Sequence, residues 1–309
     1  MTFFQEIGVN YPIIQGAMAR ISKSQLVAAV SQAGGLGILS SYGLSADELK
    51  TSLDEIRQQT DRPFGVNLML QQDNISDLLP ILYQEDIAVV TTGAGTPKAF
   101  AEDLRASGTR LVPVIASVKH AQKMGKLGVD ALIVEGREAG GHIGQSSTLP
   151  LLQAVRQVTQ VPLIAAGGFA TGASLLAAQA LGACGIQMET RFLASEECPI
   201  PDAYKAAILA ADDQGTIVTG QSWGQAVRSL KTPFLEDILA AELKGQDPAK
   251  IQAALKQSYQ KTLNDDSFDQ GSPMAGESAG AIHDIRPVQE IIDQIIEEAQ
   301  TARQQLCQD

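Results

Sequence analysis

The stretch with the clearest chemical potential in this 309-residue chain is "EGREAGGHIGQSS" (135–147). It carries His142, one of three histidines, set among Gly140, Gly141 and Gly144 and preceded by Glu138. An imidazole titrates near neutral pH, so it can polarise a carbonyl or move a proton. Glycines let the backbone bend sharply and come close to a ligand. A second stretch, "AAGGFATGASLLAAQ" (165–179), sets Gly167 and Gly168 ahead of a helix N-terminus. Backbone N–H groups in that setting can hold a phosphate, although paired glycines also serve simply as a turn. Further polar or small residues close apolar runs: Gln15-Gly16-Ala17-Met18, Asn67 and Thr91-Thr92-Gly93.

Other chemistries lack their residues. No G-x-x-x-x-G-K-[ST] loop or first-strand G-x-G-x-x-G occurs, and the two G-x-S-x-G matches, at 220–224 and 276–280, lie outside the strand-like apolar runs, so no nucleophile elbow is expected. His120, His142 and His283 have no H-x-x-x-H spacing and no carboxylate cluster, so no metal site is expected. His120 reads as an exposed residue in a helix's first turn, and His283 follows a glycine-rich loop. Cys184, Cys198 and Cys307 share no metal-like spacing and read as small buried or incidental residues of a reducing compartment. With no basic and apolar leader at the start and no run long enough to span a bilayer, a cytoplasmic protein is expected.

The elements that must position these residues form a repeat. Eight apolar runs, at 11–19, 36–41, 64–70, 87–93, 110–117, 131–136, 161–168 and 185–192, alternate with amphipathic segments. Runs apolar throughout suit parallel strands covered on both faces. Helices end on Gly before the next strand, as in "SQAGGLGIL" and "QALGACGIQ". Several strands begin beside proline, where the missing N–H costs little. The tally is that of a (β/α)8 TIM barrel, with a doubly wound open sheet as the structural alternative. In such a barrel the active site lies where strands end, which is where the residues above collect. Beyond 195 the strand rhythm stops. Residues 200–270 read as a helical insertion at the barrel mouth, acting as a lid or binding wall. Residues 1–199 and about 271–309 read as the barrel, closed by "RPVQEIIDQIIEEAQTARQQL".

Charge limits the partners. The balance of 23 basic against 35 acidic residues gives −12, which repels nucleic acid and anionic membrane. An acidic protein would need a local basic patch. Arg105, Arg110, Lys119, Lys123 and Lys126 could supply one, or could be an ordinary solvated helix face.

Taken together, "YPIIQGAMA", "AVSQAGGLGIL", "RPFGVNLML", "VVTTGAG", "EGREAGGHIG", "IAAGGFATG" and "GSPMAGESAG" resemble a family of flavin-dependent barrel enzymes. This family comprises nitronate monooxygenases and enoyl-acyl-carrier-protein reductase II, and the resemblance covers nearly the whole chain. "RPFGVNLML", "VVTTGAG" and "EAGGHIG" look closer to the reductase branch. The resemblance implies FMN at the barrel mouth, with Ala17, Met18, Asn67 and Thr92 around it. Gly167, Gly168 and the Glu189-Thr190 loop would hold its phosphate. It implies NADH or NADPH as co-substrate and an enoyl group on acyl carrier protein as substrate, in fatty-acid synthesis. His142 would act on the thioester, with Glu138 orienting it or touching the cofactor. A homodimer is the family's expectation.

One departure stands out. The family has Gly-Thr after strand eight, whereas this chain reads "QMETRF". A carboxylate at Glu189 is unfavourable beside a phosphate unless its side chain turns away or Arg191 compensates. The alternative functions are a nitronate monooxygenase with the same flavin and histidine, and a flavin- or phosphate-binding module without catalysis.

Overall fold

A computed structural model describes residues 1–308; Asp309, where the expected C-terminal barrel segment ends, lies outside the described residues. Eight parallel strands form a closed barrel: β1 Ile13–Gln15, β2 Leu36–Ser40, β3 Gly65–Met69, β4 Val89–Gly93, β5 Arg110–Ile115, β6 Leu132–Glu135, β7 Leu163–Ala166 and β8 Gly185–Met188. Pairing of Ile14 with Gln187 joins the first strand to the last, so the open-sheet alternative does not apply. Each strand lies within one of the eight apolar runs. The eighth run divides: Gly185–Met188 is strand, and Thr190–Leu193 begins a short helix.

Because side chains alternate along a strand, each run serves two layers. Ile14, Ile38, Val89, Val112, Ile133 and Ile164 fill the barrel lumen. Their neighbours Ile13, Leu39, Val66, Val90, Leu132, Val134 and Ile186 pack outward against the helices. Both layers are dry, which is why the runs show no polar alternation. Phe3 and Phe4, in the N-terminal turn, join the lumen cluster and cover the bottom of the barrel. The last helix, Val288–Leu306, packs on the helices Gly172–Ala180 and Ser24–Gln32 and closes the outer ring.

After β8 the chain forms helices Asp202–Leu209, Pro233–Leu243, Pro248–Leu255 and Ser258–Thr262. It also forms an antiparallel hairpin, Thr216–Thr219 with Val227–Leu230, where the sequence showed no further strands. Its strands are only four residues long, and its turn rests on Gly220 and Gly224, both in the left-handed region. Val227–Leu230 also pairs with Gly141–His142, so the hairpin builds a second, three-stranded sheet on the loop after β6. No helix among the described residues is long and apolar enough to cross a membrane.

Candidate functional site

The C-terminal ends of the strands form a polar floor over the apolar lumen. Asn67 on β3 donates from Nδ2 to Thr91 Oγ1 on β4 at 2.9 Å. Glu135 ends β6, and Gln187 on β8 donates from Nε2 to Glu189 Oε1 at 2.6 Å. Glu189 therefore folds its carboxyl into the lumen, against the backbone of Gly16; a Cβ at Gly16 would lie 1.8 Å from Oε1. Enclosure by the floor pushes the Glu135 carboxyl up to about 8, with the Glu189 charge adding to the effect. Enclosure pushes Glu189 up to about 7, opposed by the Gln187 hydrogen bond. Arg191 does not compensate it. Its guanidinium donates to the Asp284 carboxylate at 2.8 Å and to the Asp284 carbonyl at 3.0 Å.

With the Glu189 carboxyl turned inward, the backbone beside it is left to bind an anion. Gly167 and Gly168 have φ of +88° and +87°, a conformation that glycine adopts without strain. The N–H groups of Gly167, Gly168 and Phe169, and those of Glu189 and Thr190, have no protein acceptor among the described residues. The Thr190 hydroxyl accepts from Gly276 N at 2.9 Å and keeps its proton to donate. These donors fit the phosphate of FMN. The N-terminus of helix Gly172–Ala180 does not contribute as expected. Its Gly172 N–H donates to Glu298 Oε2 at 2.8 Å, and its Ser174 N–H is capped by Thr171. The short helix after β8 takes its place.

His142 stands at the rim, exposed, with its backbone held in the small sheet: it pairs with Val227, and Ile143 N donates to the Ala226 carbonyl at 3.0 Å. Although the side chain reaches solvent, desolvation of the ring lowers its pKa, which favours the neutral form at pH 7, with one donor and one acceptor nitrogen. Glu138 does not orient it. Its carboxylate accepts from Thr148 N at 3.1 and 3.0 Å and from Thr148 Oγ1 at 2.9 Å, capping helix Thr148–Arg156. Thr148 Oγ1 also lies 2.9 Å from the Gly167 carbonyl, so this cap ties the loop after β6 to the glycine pair after β7.

The remaining expected residues divide. Ala17 and Met18 lie half-buried in the loop after β1, where Met18 N donates to Ser22 Oγ at 2.9 Å. The next carbonyl, Ala19, accepts from the Tyr259 hydroxyl of the insertion. Thr92 faces away from the site. It pairs with Leu68 of the outer layer, and its buried Oγ1 has no partner; the lumen-facing threonine is Thr91. His120 is half-buried with its ring against the Gly95 carbonyl at 3.2 Å, rather than exposed. Burial pushes the Cys184 and Cys198 thiols up to about 11 and about 12, too high for nucleophilic work. The sequence expectations name Thr91 beside Thr92 but not Glu135 or Gln187. Counting every second residue along "ALIVEG", "VVTTG" and "GIQM" places all three in the lumen. A cleft of about 690 Å³ also opens at the opposite end of the barrel, but Arg57 and Arg110 there are paired with Glu85 and Asp130.

Known proteins match this arrangement over its full length. The sequence pattern of the family described as nitronate monooxygenase matches residues 2–298. FabK from Thermotoga maritima shares the fold with a TM-score of 0.94 and 39% identity, covering 99% of this chain and 98% of its own. A nitroalkane oxidase from Streptomyces ansochromogenes gives 0.88 and 26%, covering 99% and 100%. By sequence, the (3aS,4S,5R,7aS)-5-hydroxy-7a-methyl-1-oxo-octahydro-1H-indene-4-carboxyl-CoA dehydrogenase of Mycobacterium tuberculosis is 37% identical over 235 residues. That match takes in 75% of this chain and 66% of the relative, so the chain spans just under two thirds of its length. With the family model matched over almost its whole length, this barrel, with an anion cradle after β7 and β8 and a glycine-flanked histidine at its mouth, belongs to the nitronate monooxygenase family.

Proposed function

We propose that the protein reduces the double bond of an enoyl thioester, with NADH or NADPH as reductant and acyl carrier protein as the carrier of the substrate. The observation that carries this reading is the likeness to FabK, an enoyl-acyl-carrier-protein reductase II, at 39% identity over nearly the whole chain. The nitroalkane oxidase is equally well covered but only 26% identical. The name of the mycobacterial relative also specifies a thioester, a carboxyl-CoA.

In this reading the unpaired N–H groups of Gly167, Gly168, Phe169, Glu189 and Thr190 bind the FMN phosphate, with the Thr190 hydroxyl beside them. Bound FMN supplies hydride transfer between the nicotinamide and the β-carbon of the enoyl group. Asn67 and Thr91 orient the ring through amide and hydroxyl groups already fixed to each other. His142, neutral at pH 7, donates a hydrogen bond to the thioester carbonyl and stabilises the enolate that forms as the β-carbon is reduced. Water or the imidazole then returns a proton to the α-carbon. Residues 200–270 act as a lid whose Tyr259 rests on the loop after β1.

A nitronate monooxygenase is the second reading, favoured by the family to which the chain belongs. Steady-state assays separate the two. The FMN-loaded protein is expected to consume NADH or NADPH without oxygen when an enoyl thioester is present. Oxygen uptake with an alkyl nitronate, together with no thioester-dependent oxidation of nicotinamide, establishes the monooxygenase instead.

A further inference from the structure

The barrel does not hold His142 by itself. Gly141–His142 is an edge of the small antiparallel sheet, and the other two strands, Val227–Leu230 and Thr216–Thr219, both belong to the insertion. Arg228 lies opposite Gly141 in that sheet and is 5% exposed. Its Nε donates to the Arg137 carbonyl at 3.1 Å, where the His142 loop begins. Its Nη1 donates to Thr216 Oγ1 at 2.9 Å on the far strand of the hairpin. Its Nη2 pairs with Glu277 Oε1 at 2.8 Å, and Glu277 N in turn donates to the Glu138 carbonyl at 2.9 Å.

One planar guanidinium thus joins three segments that are far apart in sequence. A lysine, with a compact point charge on a flexible stem, cannot span that set of acceptors. Burying a cation with one charged partner is unfavourable unless its other donors are used, and each nitrogen of this guanidinium has an acceptor. Among the described residues Arg228 has no contact with Asn67, Thr91, Glu135 or the glycine pair; what it holds is the loop that carries His142.

We propose that Arg228 is the positioning residue of His142: by locking the insertion hairpin to the loop after β6, it makes the insertion set where the imidazole stands. The kinetic consequence rests on the functional reading above; the structural one does not.

With three histidines, imidazole resonances of the full chain can be followed by NMR and that of His142 assigned from His142→Ala. In the wild type the His142 signal should be single and titrate below the ordinary value of about 6.5. Arg228→Lys keeps the charge and Arg228→Met removes it. Both should split or broaden the His142 signal and move its titration towards the ordinary value, while FMN affinity, read by quenching of flavin fluorescence, stays unchanged. In the FMN-loaded enzyme both should lower kcat for an enoyl thioester by about tenfold to a hundredfold, with KM little affected. An unchanged His142 signal in both variants overturns the proposal. So does a wild-type signal in Arg228→Lys with a shift only in Arg228→Met, since charge alone would then explain it. Should the Arg228 variants fail to fold, Thr216→Val and Glu277→Leu each remove one contact. They should shift the same signal by less, and no shift in either overturns the proposal. Failure of the functional reading shows separately, as a wild type that does not turn over enoyl thioesters while its His142 signal still responds to Arg228.

Discussion

Glu189 occupies a position next to the proposed phosphate cradle, where a carboxylate is a liability, and its side chain is rotated into the lumen. The charge still lies close to the cradle, and it develops as pH rises through about 7. Glu189→Gln is therefore expected to tighten FMN binding about tenfold at pH 8.5 and much less at pH 6, measured by fluorescence quenching. Equal affinities of variant and wild type at both pH values would remove the carboxylate from the account. The same pair sets a pH dependence of folding. Both carboxyls ionise near pH 4.5 when unfolded but near 7 to 8 when folded, so the native state binds more protons across that window. Stability contributed by the protonated forms is complete below about pH 4.5 and is lost as pH rises to about 8, by at most about 1.4 kcal/mol per pH unit for each group. Thermal melts of the FMN-free protein should show this slope, and Glu135→Gln with Glu189→Gln should flatten it. His142→Ala should leave FMN binding intact and slow the reduction of an enoyl thioester about a hundredfold or more.

At the scale of elements, the strands were legible because both of their faces are buried, leaving apolar runs bounded by Gly and Pro. Which residue of a run faces the lumen was less visible, since two dry layers erase the polar alternation. That is why Thr92 was favoured over Thr91, and why Glu135 and Gln187 escaped notice. The family resemblance gives Glu138 two expected roles, orienting His142 or touching the cofactor. Its hydrogen bonds to Thr148 show the competing need, a helix N-terminus to be capped. The hairpin at 216–230 was illegible because its four-residue strands gain their pairing partner from Gly141–His142, about 80 residues earlier. The same insertion touches the loop after β1 through Tyr259 and Ala19. Tyr259→Phe should remove about 1 kcal/mol of stabilisation and speed limited proteolysis within 245–262, without altering FMN affinity. A cleavage pattern identical to the wild type would show that this contact does not hold the insertion.

For the whole molecule, the proposed carrier, if acidic, would be repelled by a chain of net charge −12 and would need a place where that repulsion is locally reversed. From Arg105 to Val129 the chain carries five basic residues and no Asp or Glu. Arg105 is engaged with the Leu127 and Gly128 carbonyls and Arg110 with Asp130, whereas Lys119 and Lys123 are exposed on the helix after β5. Lys119→Glu with Lys123→Glu should raise KM for a carrier-bound enoyl substrate, most strongly at low salt, and leave KM for the corresponding CoA thioester unchanged. Equal effects on both substrates would place the carrier elsewhere. The central claim concerns the reaction, and anaerobic rapid mixing tests it most directly. The FMN-loaded protein is mixed with NADH or NADPH and then with a short enoyl thioester. The account predicts that the nicotinamide bleaches the flavin absorbance and the enoyl thioester restores it. A flavin that neither nicotinamide bleaches, but that an alkyl nitronate alone does, would contradict it.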